Sequence, residues 1–208
     1  MLTDPVAIEI IANAKQKNVR DPNRSRQHFE NIFADFMVDV SFHGNYLDMG
    51  PGQYDFGVLA QQRGADQCFA IDYDPAVLKL GEYLGFNVID GNIKDFSREM
   101  VGSRRFQGII NKFSYNCFWY VDADDKHRGF VDSLADSIEP DGWAWIAPWN
   151  GVPKNSDLTD SKISEKLEMQ KGLFVDKGFK AIPIDDLESR KYGIHGAIAN
   201  NIIFTYGL

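Results

Sequence analysis

The residues with the clearest chemical meaning lie in YLDMGPGQYDFGVLAQQRG, residues 46–64. Gly50 and Gly52 stand one residue apart, directly after an apolar run that reads as a buried strand. Gly50 suits a tight turn, and Gly52 lets a ligand approach the backbone with no Cβ in the way. Asp72 closes the next apolar run, twenty residues after Gly52. An acid at that distance can accept hydrogen bonds from both hydroxyls of a ribose. Asp74, just before Pro75, is the natural cap of the following helix, which leaves Asp72 needing another role.

Two further acids, Asp48 and Asp55, flank the glycine loop. A pyrophosphate needs bare backbone N–H groups at the start of a helix, and carboxylates there would repel it. S-adenosylmethionine carries a sulfonium and an α-ammonium but no phosphate, so acids beside the loop suit it. Asp55 has an alternative reading as a solvent-facing acid in a first helical turn.

The elements that must position these residues follow from patterning. Asp4 and Pro5 open a helix over residues 4–18. Phe29, Ile32, Phe33, Phe36, Met37 and Val40 make one helical stripe in a second helix, which starts near DPNRSRQHF and ends at Gly44. Strands are expected at 45–49, 68–72, 86–90, 106–111 and 143–148. Helices fall between them: one through Phe56, Leu59 and Ala60 closing at Gly64, one at 74–85 and one at 124–142. A helix over 157–177 and two strands, 180–186 and 199–207, joined by a hairpin-like connection, complete the chain. Alternating strands and helices make a doubly wound α/β sheet with right-handed crossovers, and the two closing strands require an antiparallel pair.

Composition narrows the function classes. The 208 residues suit one domain, and 44% hydrophobic content supplies a normal core. A net charge of −8 argues against nucleic acid as substrate. The first residues lack a signal-peptide pattern, and no run approaches the roughly 20 apolar residues of a membrane span, so a cytoplasmic protein is expected. Cys68 and Cys117 have no metal-ligand spacing and read as buried thiols. His28, His43, His127 and His195 also lack such spacing, so no metal is expected, and each reads as a surface or capping residue.

LDMGPG, followed in order by AIDYDP, DGNIKDF, FQGIINKFSYN and IEPDGWAWIAPW, resembles the motif series of the class I S-adenosylmethionine-dependent methyltransferases. The resemblance spans residues 45–208, with residues 1–44 as an N-terminal helical extension of the same domain and a candidate lid. It implies a Rossmann-like sheet of seven strands with the last antiparallel. Carried onto this chain, it would place Asp48, Gly50 and Gly52 along the methionine side of the cofactor. Asp72 would bind the ribose and Tyr73 would pack by the adenine. Asn92, where the family commonly has Asp, would accept from the adenine amino group, and the Ile93 N–H would donate to the ring. Asn111 and Lys112 would close the fourth strand beside the reacting methyl. The family often has a third glycine where this chain has Tyr54; that ring either covers the cofactor or turns into the core.

The acceptor should lie over the ends of the fourth and fifth strands. Ser114, Tyr115 and Asn116 are the positioning candidates, with Trp119, Tyr120, Trp149 and Asn150 nearby; part of this aromatic set is expected to be packing. The Asn/Asp-Pro-Pro-aromatic segment of enzymes that methylate base or glutamine amino groups is absent. Aromatic residues among amides suit a small-molecule or saccharide acceptor. Two other readings stay open: a binding-only paralogue that holds S-adenosylmethionine, and a NAD-dependent oxidoreductase or epimerase, which Asp55 and the missing Tyr-x-x-x-Lys pair disfavour. The oligomeric state stays open.

Overall fold

The computed structural model describes residues 4–14, 22–112, 124–149, 160–194 and 201–208. Seven strands form one sheet: β1 (Asn45–Met49), β2 (Gln67–Asp72), β3 (Asn87–Asp90), β4 (Phe106–Lys112), β5 (Ile138–Trp149), β6 (Lys180–Ile184) and β7 (Asn201–Tyr206). Their order is β3-β2-β1-β4-β5-β7-β6. Strand β7 runs antiparallel to β5 and β6, and the pairs from β3 to β5 are parallel. This is the seven-stranded Rossmann-like sheet expected from the sequence. Strand order reverses at β1, between β2 and β4, which is where open α/β sheets place a ligand crevice, beyond the carboxyl ends of the strands.

Helices α1 (Pro5–Ala12), α2 (Pro22–Phe36), α3 (Asp55–Gln62) and α4 (Pro75–Tyr83) precede β3, and α5 (Arg98–Val101), α6 (Asp124–Asp136), α7 (Asp160–Asp176) and α8 (Asp186–Lys191) follow it. Alternate residues of the strands feed two cores. Tyr46, Ile110 and Trp145 pack with α1 to α4, while Leu47, Ile109 and Ile146 pack among α6 and α7 side chains. The stripe of α2 belongs to the first core: Phe29, Ile32 and Phe33 are buried, and Phe33 meets the Phe42 and Phe56 rings edge-on.

Local signals explain most boundaries. The carboxylates of Asp4 and Asp74 accept from Val6 N–H (2.9 Å) and Ala76 N–H (3.0 Å), with proline opening each helix. Cys68 is a buried free thiol; Cys117 lies outside the described residues.

Several boundaries differ from expectation. Helix α1 stops at Ala12. Helix α2 ends at Phe36, not at Gly44, because the chain beyond it carries Phe42 onto Tyr46, where the rings stack 5.3 Å apart. Helix α6 ends at Asp136, six residues before the expected Gly142. Ile138 already pairs with Phe106, and Pro140 has no N–H with which to continue a helix. The connection between β6 and β7 is no hairpin: it contains α8, opened by a capping box between Asp185 and Glu188. Its Asp-x-x-Glu signature was present in the sequence. Helix α5 and the 3₁₀ turn Ile93–Asp95 were not foreseen. His28 and His127 are buried rather than superficial; His127 lies 3.1 Å from the Gln170 amide. His43 is exposed, and His195 lies outside the described residues.

Close packing under the glycine loop depends on Gly81 of α4. A Cβ there would stand 2.2 Å from the Tyr54 hydroxyl and 2.5 Å from a Val88 methyl. Overpacking of this kind costs about 1–3 kcal/mol, more than the roughly 1 kcal/mol that alanine gains over glycine in a helix. Gly81→Ala should therefore lower the midpoint of thermal unfolding, measured by circular dichroism.

Candidate functional site

The loop after β1 is shaped by backbone bonds before any side chain acts. Gly50 N–H donates to the Ile71 carbonyl (2.9 Å), which turns the chain across the end of β2. Gly50 and Gly52 both hold positive φ, 80° and 55°. The space within 4 Å of where a Gly52 Cβ would stand is open, so a ligand can lie against the backbone.

Tyr54 also lies in the left-handed region at φ 63°, the one non-glycine residue to do so among the described residues. Its ring turns into the core, 1% exposed and stacked on Phe86 at 4.9 Å. Of the two positions left open for Tyr54, the structure takes the one away from the crevice.

Three carboxylates converge on this loop. Asp48, near the end of β1, is 6% exposed, and its Oδ2 finds no hydrogen-bond partner among the described residues. Burial pushes its carboxyl well above the usual carboxylate range; the charges of Asp55 and Asp72 add to the effect and Lys112 opposes it. Asp55, in the first turn of α3, is buried too, which removes the solvent-facing reading. Burial raises Asp55, while hydrogen bonding with Ser25 of α2 and the charges of Lys112 and Arg26 pull the other way. Asp72 is raised mainly by burial. Carboxylates so placed favour a cation.

Asp72 does more than the sequence suggested. Its Oδ1 accepts from Tyr73 N–H (2.8 Å) and Asp74 N–H (2.9 Å), which fixes the turn between β2 and α4. Tyr73 is 50% exposed, and the Asp72 carbonyl accepts from Gly91 N–H (3.0 Å), which draws the DGN segment alongside. Asn92 caps the 3₁₀ turn, its Oδ1 accepting from Lys94 N–H (3.0 Å), and Ile93 is buried. Asn111 and Lys112 end β4 beside β1, and both are buried. Asp48, Gly50, Gly52, Asp72, Tyr73, Asn92, Ile93 and Asn111 thus lie at the carboxyl ends of β1 to β4 or in the loops just beyond. Ser114, Tyr115, Asn116, Trp119, Tyr120 and Asn150 lie outside the described residues. Lys112, which the family resemblance would put beside the reacting methyl, belongs to this cluster. Ser25 and Phe29 belong to it as well and were not among the sequence candidates for it. No His, Cys, Asp or Glu group among the described residues could hold a metal ion, and no helix among them is long and apolar enough to cross a membrane.

The buried carboxylate of Asp48 has a measurable cost. A carboxyl raised in the folded state is favoured there in its protonated form. The folded protein therefore loses stability as pH climbs from the unfolded-state value, and the loss is complete above the folded-state value. Asp48→Asn removes it. The variant should melt higher than the parent by about 1–3 kcal/mol of stability, on the order of 5 °C. The gap should widen as pH rises from about 4, as read by scanning calorimetry across pH.

A protein-family scan finds no matching model, and no curated protein sequence matches. Solved structures do. DesVI of Streptomyces venezuelae superposes with a TM-score of 0.58 at 12% identity, over 89% of this chain and 92% of that one. CalS10 of Micromonospora echinaspora, an amino pentose methyltransferase with S-adenosylmethionine bound, gives 0.57 at 12%, over 90% and 92%. The N-methyltransferase NodS of Bradyrhizobium japonicum WM9 gives 0.54 at 13%, over 88% and 94%. With its strand order, its antiparallel β7 and these neighbours, the chain has the fold of the class I S-adenosylmethionine-dependent methyltransferases.

Proposed function

We propose that the protein transfers a methyl group from S-adenosylmethionine to a small-molecule acceptor, saccharides included. The observation that carries this reading is the buried Asp48 carboxylate, whose Oδ2 is unpartnered among the described residues, beside the open backbone at Gly52. A pyrophosphate would meet three carboxylates there; an ammonium and a sulfonium would be attracted. The residues fit the cofactor in kind. Asp48, Gly50 and Gly52 would hold its methionine end and Asp72 its ribose. Tyr73, Asn92 and Ile93 would hold the adenine, and Asn111 would stand at the methyl.

Bound S-adenosylmethionine supplies an electrophilic methyl carbon with a neutral thioether as leaving group. The chain's own contribution is alignment, since an in-line displacement gains most from fixed geometry. Ser114, Tyr115 and Asn116 would position the acceptor, an assignment that rests on their place after β4 in the sequence. An amide and aromatic hydroxyls suit a sugar, and the neighbour that acts on an amino pentose indicates that this architecture accommodates one. Methyl transfer to any acceptor in a turnover assay would distinguish this reading from that of a binding-only paralogue.

Calorimetry with S-adenosylhomocysteine and NAD tests the cofactor. The thioether should bind, and NAD should not; micromolar NAD binding with none for the thioether would end the proposal. Asp72→Asn refines the test. The amide keeps an acceptor for the Tyr73 and Asp74 N–H groups, so the turn should persist, while the charge that strengthens ribose hydrogen bonds is lost. S-adenosylhomocysteine affinity should fall by about tenfold, from roughly 1.5 kcal/mol, with little change in melting temperature. Asp72→Ala would weaken binding too, but would also destabilise the turn.

A further inference from the structure

The cluster at the ends of β1 and β4 contains a buried base as well as acids. Asp48 stands opposite Ile110 in the strand register, and Lys112 lies two residues further along β4. Asp48 and Lys112 therefore project from the same face of neighbouring strands, the face covered by α2 and α3. Lys112 is only 9% exposed, and its Nζ sits 5.0 Å from the centre of the Phe29 ring in α2. Asp55 reaches the same place from the first turn of α3, and the charge of Lys112 acts on both acids. A buried ammonium on a flexible stem is costly, and a ring beneath it both stabilises and orients it. Charge matching then identifies the ligand. Acids and a base side by side suit an amino-acid end, whose ammonium and carboxylate call for partners of opposite sign. S-adenosylmethionine, with ammonium, carboxylate and sulfonium, carries one net positive charge.

Building on the cofactor reading above, we propose that Lys112 recognises the α-carboxylate of the cofactor's amino-acid end while Asp48 and Asp55 take its α-ammonium. Lys112 is then the residue that makes the site select a whole amino acid rather than a bare cationic tail. The Phe29 ring holds the ammonium for that contact, so the N-terminal segment contributes to cofactor selection.

Calorimetry near neutral pH with S-adenosylmethionine and its decarboxylated analogue reads this directly. The parent protein should prefer the intact cofactor by about tenfold or more, the scale of one hydrogen bond between charged groups. Lys112→Met, which keeps the apolar stem, should lose that preference, and Lys112→Arg should restore most of it. A Lys112→Met protein that weakens both ligands by the same factor, or keeps the preference, overturns the proposal. Should Lys112→Met fail to fold, Phe29→Leu replaces it: the preference should drop severalfold, and an unchanged preference overturns the proposal equally. If the parent binds neither ligand, the cofactor reading itself is wrong; if it binds both alike, only the role of Lys112 is.

Discussion

A carboxylate kept out of water without a full set of partners is the constraint around which the carboxyl end of this sheet is organised. Asp48 belongs to β1, an interior strand, and is buried, so its side chain does not reach solvent. Asp55 and Asp72 stand close enough for their charges to raise it further. Nothing in folding alone favours such an arrangement, because an apolar residue or an amide at position 48 would cost less. Perturbed acids of this kind gather where a ligand is to be held. The rest of the fold tolerates the penalty because two well-packed cores lie on either face of the sheet.

The same trade explains Tyr54. The loop turns through the left-handed region at position 54, where the family resemblance leads one to expect glycine. A tyrosine there accepts about 1–2 kcal/mol of backbone strain. Full burial of a large ring contributes roughly 1.5–3 kcal/mol in return, and stacking on Phe86 adds to it. The seat exists because α4 has Gly81 beneath the ring and no side chain to block it. Position 54 thus keeps the glycine-like backbone that the turn requires and uses the side chain as an anchor for the loop.

Those residues also mark what a sequence can and cannot disclose. Helix starts at Pro5 and Pro75 were legible because the cap and the proline act within one turn of chain. The doubly wound sheet followed from alternation of apolar runs with helical stripes, a pattern that folds in few ways, while seven strands with the last antiparallel were what the family resemblance implied. The acid-flanked loop and Asp72 were legible because they lie at fixed spacings. What escaped depends on contacts distant in sequence. The stripe at Met37 and Val40 continues a helical period, yet the helix stops at Phe36 so that Phe42 can reach Tyr46. The seat of Lys112 on the Phe29 ring is one such contact, between residues far apart in the chain. Helix α8 is a different case: its capping box is local, but the strand expected over 180–186 runs across Asp185.

The N-terminal segment joins these themes. Helix α2 is tied at one end to α3, through Arg26 to Gln62 and Phe29 against Phe56. It is also tied to the end of α8 and the residues just after it. Asn31 donates to the Lys191 carbonyl (2.8 Å), the Tyr192 hydroxyl donates to Asp35 (2.7 Å), Lys191 pairs with Asp35, and His28 packs against Gly193, where a Cβ would collide with the imidazole. The exposed ion pair adds little by itself. The buried stripe of Phe29, Ile32 and Phe33 adds much more, roughly 1.5–3 kcal/mol for each large side chain. Such a sum is comparable with the whole stability of an ordinary domain. A helix carrying that much of the core is part of the domain, packed beside the end of β1. Its inner turn brings Ser25 to Asp55 and Phe29 to Lys112, so the segment that closes the first core also sets the electrostatics at the end of β1.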